Sequence, residues 1–264
     1  MKTTAAEPAT MERLTGPGKW LTELNVLIRI QFAIVRDSWA WIVVMATMFP
    51  LTTVLFMKFF TENPSEETLI RLIAGNLIFG IIVMGMNGMG QDISWQKHAG
   101  HFTFYASLPI SKINFVLANL ARGMMNTIPS FLILGAIGQW VYGIQFQYSW
   151  GMLPVIVLSI FSCVGIGVAI GFWSPNHQLT NMLVQALMMV VTFLSPVLVE
   201  MSRLPIPLQW FSYLLPSTYA ADAMSIVFLQ GWTKDVLADC IVLVGYGLAT
   251  FAMINKLVKW RMND

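Results

Sequence analysis

The sequence predicts an all-α integral membrane protein: six transmembrane helices, an N-terminal interfacial amphipathic helix, and short re-entrant helices between spans five and six. Three observations carry this reading. Of 264 residues, 56% are hydrophobic and 11% charged, against roughly 25% charged in soluble domains. Long stretches hold no charge at all, at or beyond the about 20 residues that cross a hydrocarbon core of about 30 Å. Gly, Pro, Asn, Gln or charged residues gather where those stretches stop, as turns require.

Taken in order, residues 1–18 form a polar tail with Pro8, Gly16, Pro17 and Gly18, and they lack the apolar centre of a cleavable signal peptide. Residues 19–38, within "KWLTELNVLIRIQFAIVRDSW", place Thr22, Asn25, Arg29 and Arg36 in one narrow stripe of a helix. Leu21, Leu24, Ile28, Phe32 and Val35 lie beside it. Such a helix suits the membrane plane, with its arginines at the headgroups; a poor seventh span, or a helix packed on the bundle, fits the same pattern.

The six-span domain covers residues 39–260. No charge occurs from Trp39 until Lys58, giving span one at about 39–57, and none from Leu72 until Asp92, giving span two at about 72–90. The charge-free tract Gly123 to Val199 is too long for one crossing. It breaks at "QWVYGIQFQYSWG" and "WSPNHQLTN" into spans at about 116–141, 152–172 and 179–199. Span six is about 236–255. Before it, residues 201–235 hold apolar pieces too short to cross, broken by Pro205, Pro207 and Pro216. Trp210, Tyr213 and Tyr219 suit the headgroup level, and Asp222 follows them. The segment reads as external re-entrant helices or as an ordinary external loop packed on the bundle.

Lys and Arg set the orientation. With the N terminus inside, ten basic residues face in (Lys2, Arg13, Lys19, Arg29, Arg36, Lys97, Lys112, Lys256, Lys259, Arg261) and four face out (Lys58, Arg71, Arg203, Lys234). The positive-inside rule therefore places both termini in the cytoplasm of a multi-pass cell-membrane protein. The net charge of +2 is small and scattered, which gives no footprint for nucleic acid.

Little enzymatic chemistry is present. His98 and His101, spaced i, i+3, lack a third ligand for a metal. Cys163 and Cys240 sit inside apolar runs and read as reduced packing residues. No H-E-x-x-H, G-x-S-x-G or G-x-x-x-x-G-K-[ST] occurs, so neither hydrolysis nor nucleotide binding is expected of this chain. Inside the spans, Arg122 is the clearest ionisable group; it either snorkels to the inner surface or serves transport or dimer contact. Met84, Met86, Asn87 and Met89, in "GIIVMGMNGMGQ", either line an adaptable substrate path or fill core gaps.

The order of these parts, with "GHFTFYASLPISK" after span two and "LPIPLQWFSYLLPSTYAADAM" before span six, resembles the type-2 membrane domain of ATP-binding cassette (ABC) transporters, especially the drug-export branch. The resemblance covers nearly the whole chain. It implies a permease subunit that pairs with a second permease subunit, as a homo- or heterodimer, and with two copies of a cytoplasmic ATPase. ATP and Mg would sit on that partner, with no cofactor on this chain. It also implies a coupling element at 97–112 inserted in the ATPase, in which Gly100, Leu108, Pro109 and Ser111 match the family pattern best. Lys97, His98, His101, Phe104 and Tyr105 complete the expected ATPase-coupling set. Many relatives carry acidic residues just before that glycine, where this chain has Gln96, Lys97 and His98. The implied activity is export of a hydrophobic or amphiphilic substrate such as a drug, peptide antibiotic or lipid-like molecule. A polysaccharide exporter, a secondary transporter or a non-transporting scaffold in the lipid bilayer are the alternatives.

Overall fold

The computed structural model describes residues 17–60, 66–102, 105, 110–142, 149–195, 201 and 205–257. Among these every element is helical. The helices are α1 (Pro17–Asp37), α2 (Trp39–Phe60), α3 (Glu66–Ile81), a π-helical segment (Ile82–Gly88), α4 (Met89–His98), α5 (Lys112–Tyr142), α6 (Met152–Trp173), α7 (His177–Leu194), α8 (Ile206–Ser212), α9 (Pro216–Gln230) and α10 (Lys234–Leu257). The α3–π–α4 run is one continuous rod. Four helices are long and apolar enough to cross a membrane: Glu67–His98, Met152–Trp173, His177–Leu194 and Lys234–Leu257. That count covers the described residues; α2 and α5, whose side chains are described only in part, are not in it.

The rod and α6 form the centre. Ile73, Leu77, Ile78, Phe79, Ile82 and Ile93 of the rod are almost wholly buried, as are Val155, Val164 and Val168 of α6. Backbone proximity, not side-chain bulk, fixes this crossing. A Cβ on Gly167 would collide with the Met86 carbonyl, and one on Gly171 would lie 2.7 Å from the Gly90 carbonyl oxygen. Without a hydrophobic force between helices in lipid, such small-residue contact is how spans hold together. The π segment sits at this crossing, where one extra residue per turn widens the helix and sets the Met86 backbone against Gly167.

Around this pair, α10 packs along α6, α9 fills the space between α3, α6 and α10, and α5 lies against α1, α2 and α3. Pro216 starts α9 at a position where a missing N–H costs nothing. Among the described residues, the segment before α10 thus holds α8 and α9, the latter with a largely buried face that includes Ala220, Met224, Val227 and Phe228.

Helix α1 packs on α5 and buries Leu27 and Gln31, while Thr22, Asn25, Arg29 and Arg36 remain exposed. The expected polar stripe is therefore on the outside. Leu21 and Phe32, assigned to the apolar stripe, are exposed at 60% and 54%, because the face turned to α5 centres on Leu27 and Gln31.

Replacing Gly167 by Leu must part α6 from the rod. The expected cost is about 3 kcal/mol, at the upper end of typical overpacking, read as a lowered Tm and loss of the monodisperse peak in detergent. Gly245→Ala, where an added Cβ meets nothing within 4 Å, should leave Tm unchanged or slightly raised.

Candidate functional site at the α4 end

The C-terminal end of α4 is tied to its surroundings on two sides. On one side, Lys97 Nζ donates to the backbone carbonyls of Phe172 at 2.9 Å and Ser174 at 2.8 Å. The His98 ring nitrogens face the Ser94 carbonyl at 2.7 Å and the Pro175 carbonyl at 2.9 Å. Deeper in, the Thr180 hydroxyl of α7 donates to Ser94 Oγ at 2.8 Å. The end of α6 leaves carbonyls without intrahelical donors, and a lysine ammonium is the natural group to satisfy them.

On the other side lies a buried charge network. Arg122 Nη2 of α5 pairs with Asp92 Oδ1 at 2.7 Å, and the other Asp92 oxygen accepts from Gln96 Nε2 at 2.7 Å. Arg122 Nη1 donates to Gln31 Oε1 of α1 at 3.3 Å. Arg122 is 8% exposed and Gln31 0%, so the guanidinium does not snorkel; a carboxylate on the neighbouring helix neutralises it instead. Arg122 Nε and Gln31 Nε2 have no partner, so the network holds together on its charged bonds alone. The buried Tyr105 hydroxyl feels the same pair: its pKa is raised mainly by burial, with Arg122 pulling it down and Asp92 pushing it up.

The expected coupling residues thus divide. Lys97 turns onto the chain's own α6–α7 turn, and His98 touches the same turn while remaining exposed. Tyr105 is 7% exposed and packs with Phe115 at 5.0 Å between ring centroids; Phe102 meets Phe115 and Phe172 edge-on at 5.4 Å. These rings close the end of the bundle, because burying them is worth more than displaying them. Ser111 is the N-cap of α5, its Oγ accepting from the Asn114 N–H at 3.2 Å, while its own N–H donates to Glu23 Oε2 of α1 at 3.3 Å. Gly100, at φ 81° in the left-handed region, and His101 are exposed, and His101 stacks edge-on with the exposed Trp95 at 5.0 Å. Phe104, Leu108 and Pro109 lie outside the described residues.

The methionines of span two do not face outward together. Met86 and Met89 are buried at 2% and 0%, Met84 is half-buried, and buried Asn87 donates to Met188 Sδ at 3.2 Å while accepting from Gln91 Nε2 at 2.6 Å. Met86, Met89 and Asn87 pack in the core where the rod meets α6 and α7. At the opposite end of the molecule, Trp210 is 74% exposed, Pro205 caps the start of α8, and Pro216 is buried. Tyr219 Oη donates to the Tyr213 carbonyl at 2.9 Å, and Asp222 is exposed. Among the described residues, no group of three or more His, Cys, Asp or Glu is placed to hold a metal.

Asp92, Gln31, Ser94 and Thr180 are missing from the sequence-based expectations. The signal for Gln31 was there: it stands four residues after Leu27 and four before Val35, in the apolar face. Arg122→Met alone leaves the Asp92 carboxylate unpaired, and an expected loss of about 3 kcal/mol or more follows. The double variant Asp92→Leu with Arg122→Met should recover most of it, a coupling measurable by a double-mutant cycle on thermal unfolding.

No curated protein matches the chain. The model of the ABC-2 type transporter family matches residues 22–229, from α1 through almost all of α9. The chain belongs to the ABC-2 type transporter family and is a multi-pass membrane permease subunit of that class.

Proposed function

We propose that this permease forms half of an ATP-driven exporter for amphiphilic molecules, energised by a separate ABC ATPase present in two copies. The six spans are α2, the α3–π–α4 rod, α5, α6, α7 and α10. Both termini lie in the cytoplasm, α1 rests at the inner membrane surface, and α8 and α9 re-enter from outside. In this orientation the α4 end, with Trp95, Gly100 and His101 exposed, faces the cytoplasm, where an ATPase docks.

The observation that carries the export reading is the uncovered face of α7. This span-length helix exposes Met182 at 64%, Met189 at 65% and Phe193 at 61%, and on the same face Gln178, Asn181 and Gln185 are exposed. Gln185 stands about 12 Å along the helix from His177. A primary amide at that depth finds no hydrogen-bond partner in lipid. The face is therefore turned to a second permease subunit across a passage, where amides meet the polar part of a substrate and the thioethers and Phe193 its apolar part. The amphiphile class follows from this mixed lining.

Tagged chain isolated from native membranes is expected to carry an ATP-hydrolysing subunit with it, and amphiphiles added to the reconstituted complex to stimulate hydrolysis where lipid-linked glycans do not. Trp95→Ala should weaken ATPase retention by about tenfold, the scale of a buried aromatic contact. Gln185→Leu should leave retention intact and raise the half-saturating amphiphile concentration several-fold. Wild-type chain that retains no ATPase would end this reading.

A further inference from the structure

The two loops at the α4 end are one surface, and the family reading uses only the first of them. All three histidines of the chain are His98, His101 and His177, and all three are exposed at this end. Trp95, Ala99 and Gly100 are exposed on the first loop; Pro175, Asn176, His177 and Gln178 are exposed on the second. The two are joined by the Lys97 bonds to Phe172 and Ser174 and by the His98 contact with Pro175. Ser174 is itself buried, and its hydroxyl donates to the Asn176 carbonyl at 2.9 Å, while Asn176 caps α7 by accepting from Leu179 N–H at 2.7 Å. The second loop is therefore a tight, internally bonded turn, fixed to the end of α4 by an ammonium held between two carbonyls.

We infer that the turn Ser174–Asn176 and the first residues of α7 form the second half of the ATPase-docking surface, with Lys97 and His98 as positioning residues that keep the two halves in register. The inference rests on the ATPase-coupled reading above. The occupant is the partner ATPase, because the turn is bonded directly to Lys97 and His98, the first residues of the expected docking element. The joined surface exposes His98, His101 and His177 and has no carboxylate from Ser94 to His101 or from Ser174 to Gln178, which suits an acidic cleft on the partner. The placement has a mechanical consequence. A push on this surface reaches α7, whose uncovered face borders the proposed passage, directly through its first turn, and reaches α6 through Phe172 and Ser174, instead of passing only down α4.

The test places a photoreactive benzophenone side chain at Gln178, at His101 or, on the outer side, at Tyr213, in the full chain expressed with its native ATPase. Crosslinks to the same ATPase are expected from the first two positions and none from the third. Lys97→Met should cut the yield from the Gln178 position at least fivefold relative to His101, and Lys97→Arg, which keeps a cation at the two carbonyls, should restore it. Crosslinking from His101 but not from Gln178 in the otherwise unaltered chain overturns the second half-site and leaves the ATPase reading standing. No crosslink from either position removes that reading itself. An unchanged Gln178 yield in Lys97→Met overturns the positioning role. Should Lys97→Met fail to fold, the probe at Gln178 without other changes, and its yield in Lys97→Arg, still decide the half-site.

Discussion

Contact between the backbones of the α3–π–α4 rod and α6 sets the terms for the rest of the molecule. Gly167 and Gly171 pass so near the Met86 and Gly90 carbonyls that no side chain fits between them. In lipid, apolar side chains gain little from leaving one apolar medium for another, so close van der Waals approach and polar contact must bind helix to helix. The crossing has further consequences. It brings Val164 against Gly85 and Gly123, drawing α5 in; it fixes the distance over which Lys97 reaches the end of α6; and it leaves α7 touching the rod along only one side.

The polar contacts then give this apolar scaffold direction. A buried ion pair such as Asp92 with Arg122 adds little net stability compared with a well-packed apolar pair, yet it admits only one alignment of α4 against α5. Gln31 extends that alignment to α1, and Glu23 ties α1 to the N–H of Ser111 where the coupling segment returns to α5. The stretch 97–112 is thereby gripped at its two ends, by Lys97 and His98 where it leaves α4 and by Glu23 where it enters α5. Its rings, Phe102 and Tyr105, are sunk among Phe115 and Phe172.

Much of this was legible beforehand because hydrocarbon imposes simple rules. Charge-free length marked the middle of the rod, expected at 72–90 and found at Glu67–His98, turn residues marked the boundary between α6 and α7, and the prolines at 205 and 216 marked the starts of α8 and α9. The direction in which a side chain turns was not legible. Nothing in the sequence tells that Lys97 reaches the carbonyls of Phe172 and Ser174 at the end of a distant helix. In the sequence Arg122 stands between snorkelling and a transport or dimer role, because its partner, Asp92, is thirty positions away and looks like a span terminator.

The sequence by itself determined that this chain is a helical membrane protein, where its long apolar helices run, and, through the order of its motifs, to which transporter family it belongs. The first two follow from composition and local pattern, which solvent reads one segment at a time, and the third from resemblance alone. Only the tertiary structure decided which polar groups meet: Asp92 with Arg122, Lys97 with the α6 terminus, Ser94 with Thr180. Partners so far apart along the chain are chosen by how closely glycine lets two backbones approach, and that depends on the whole bundle being assembled.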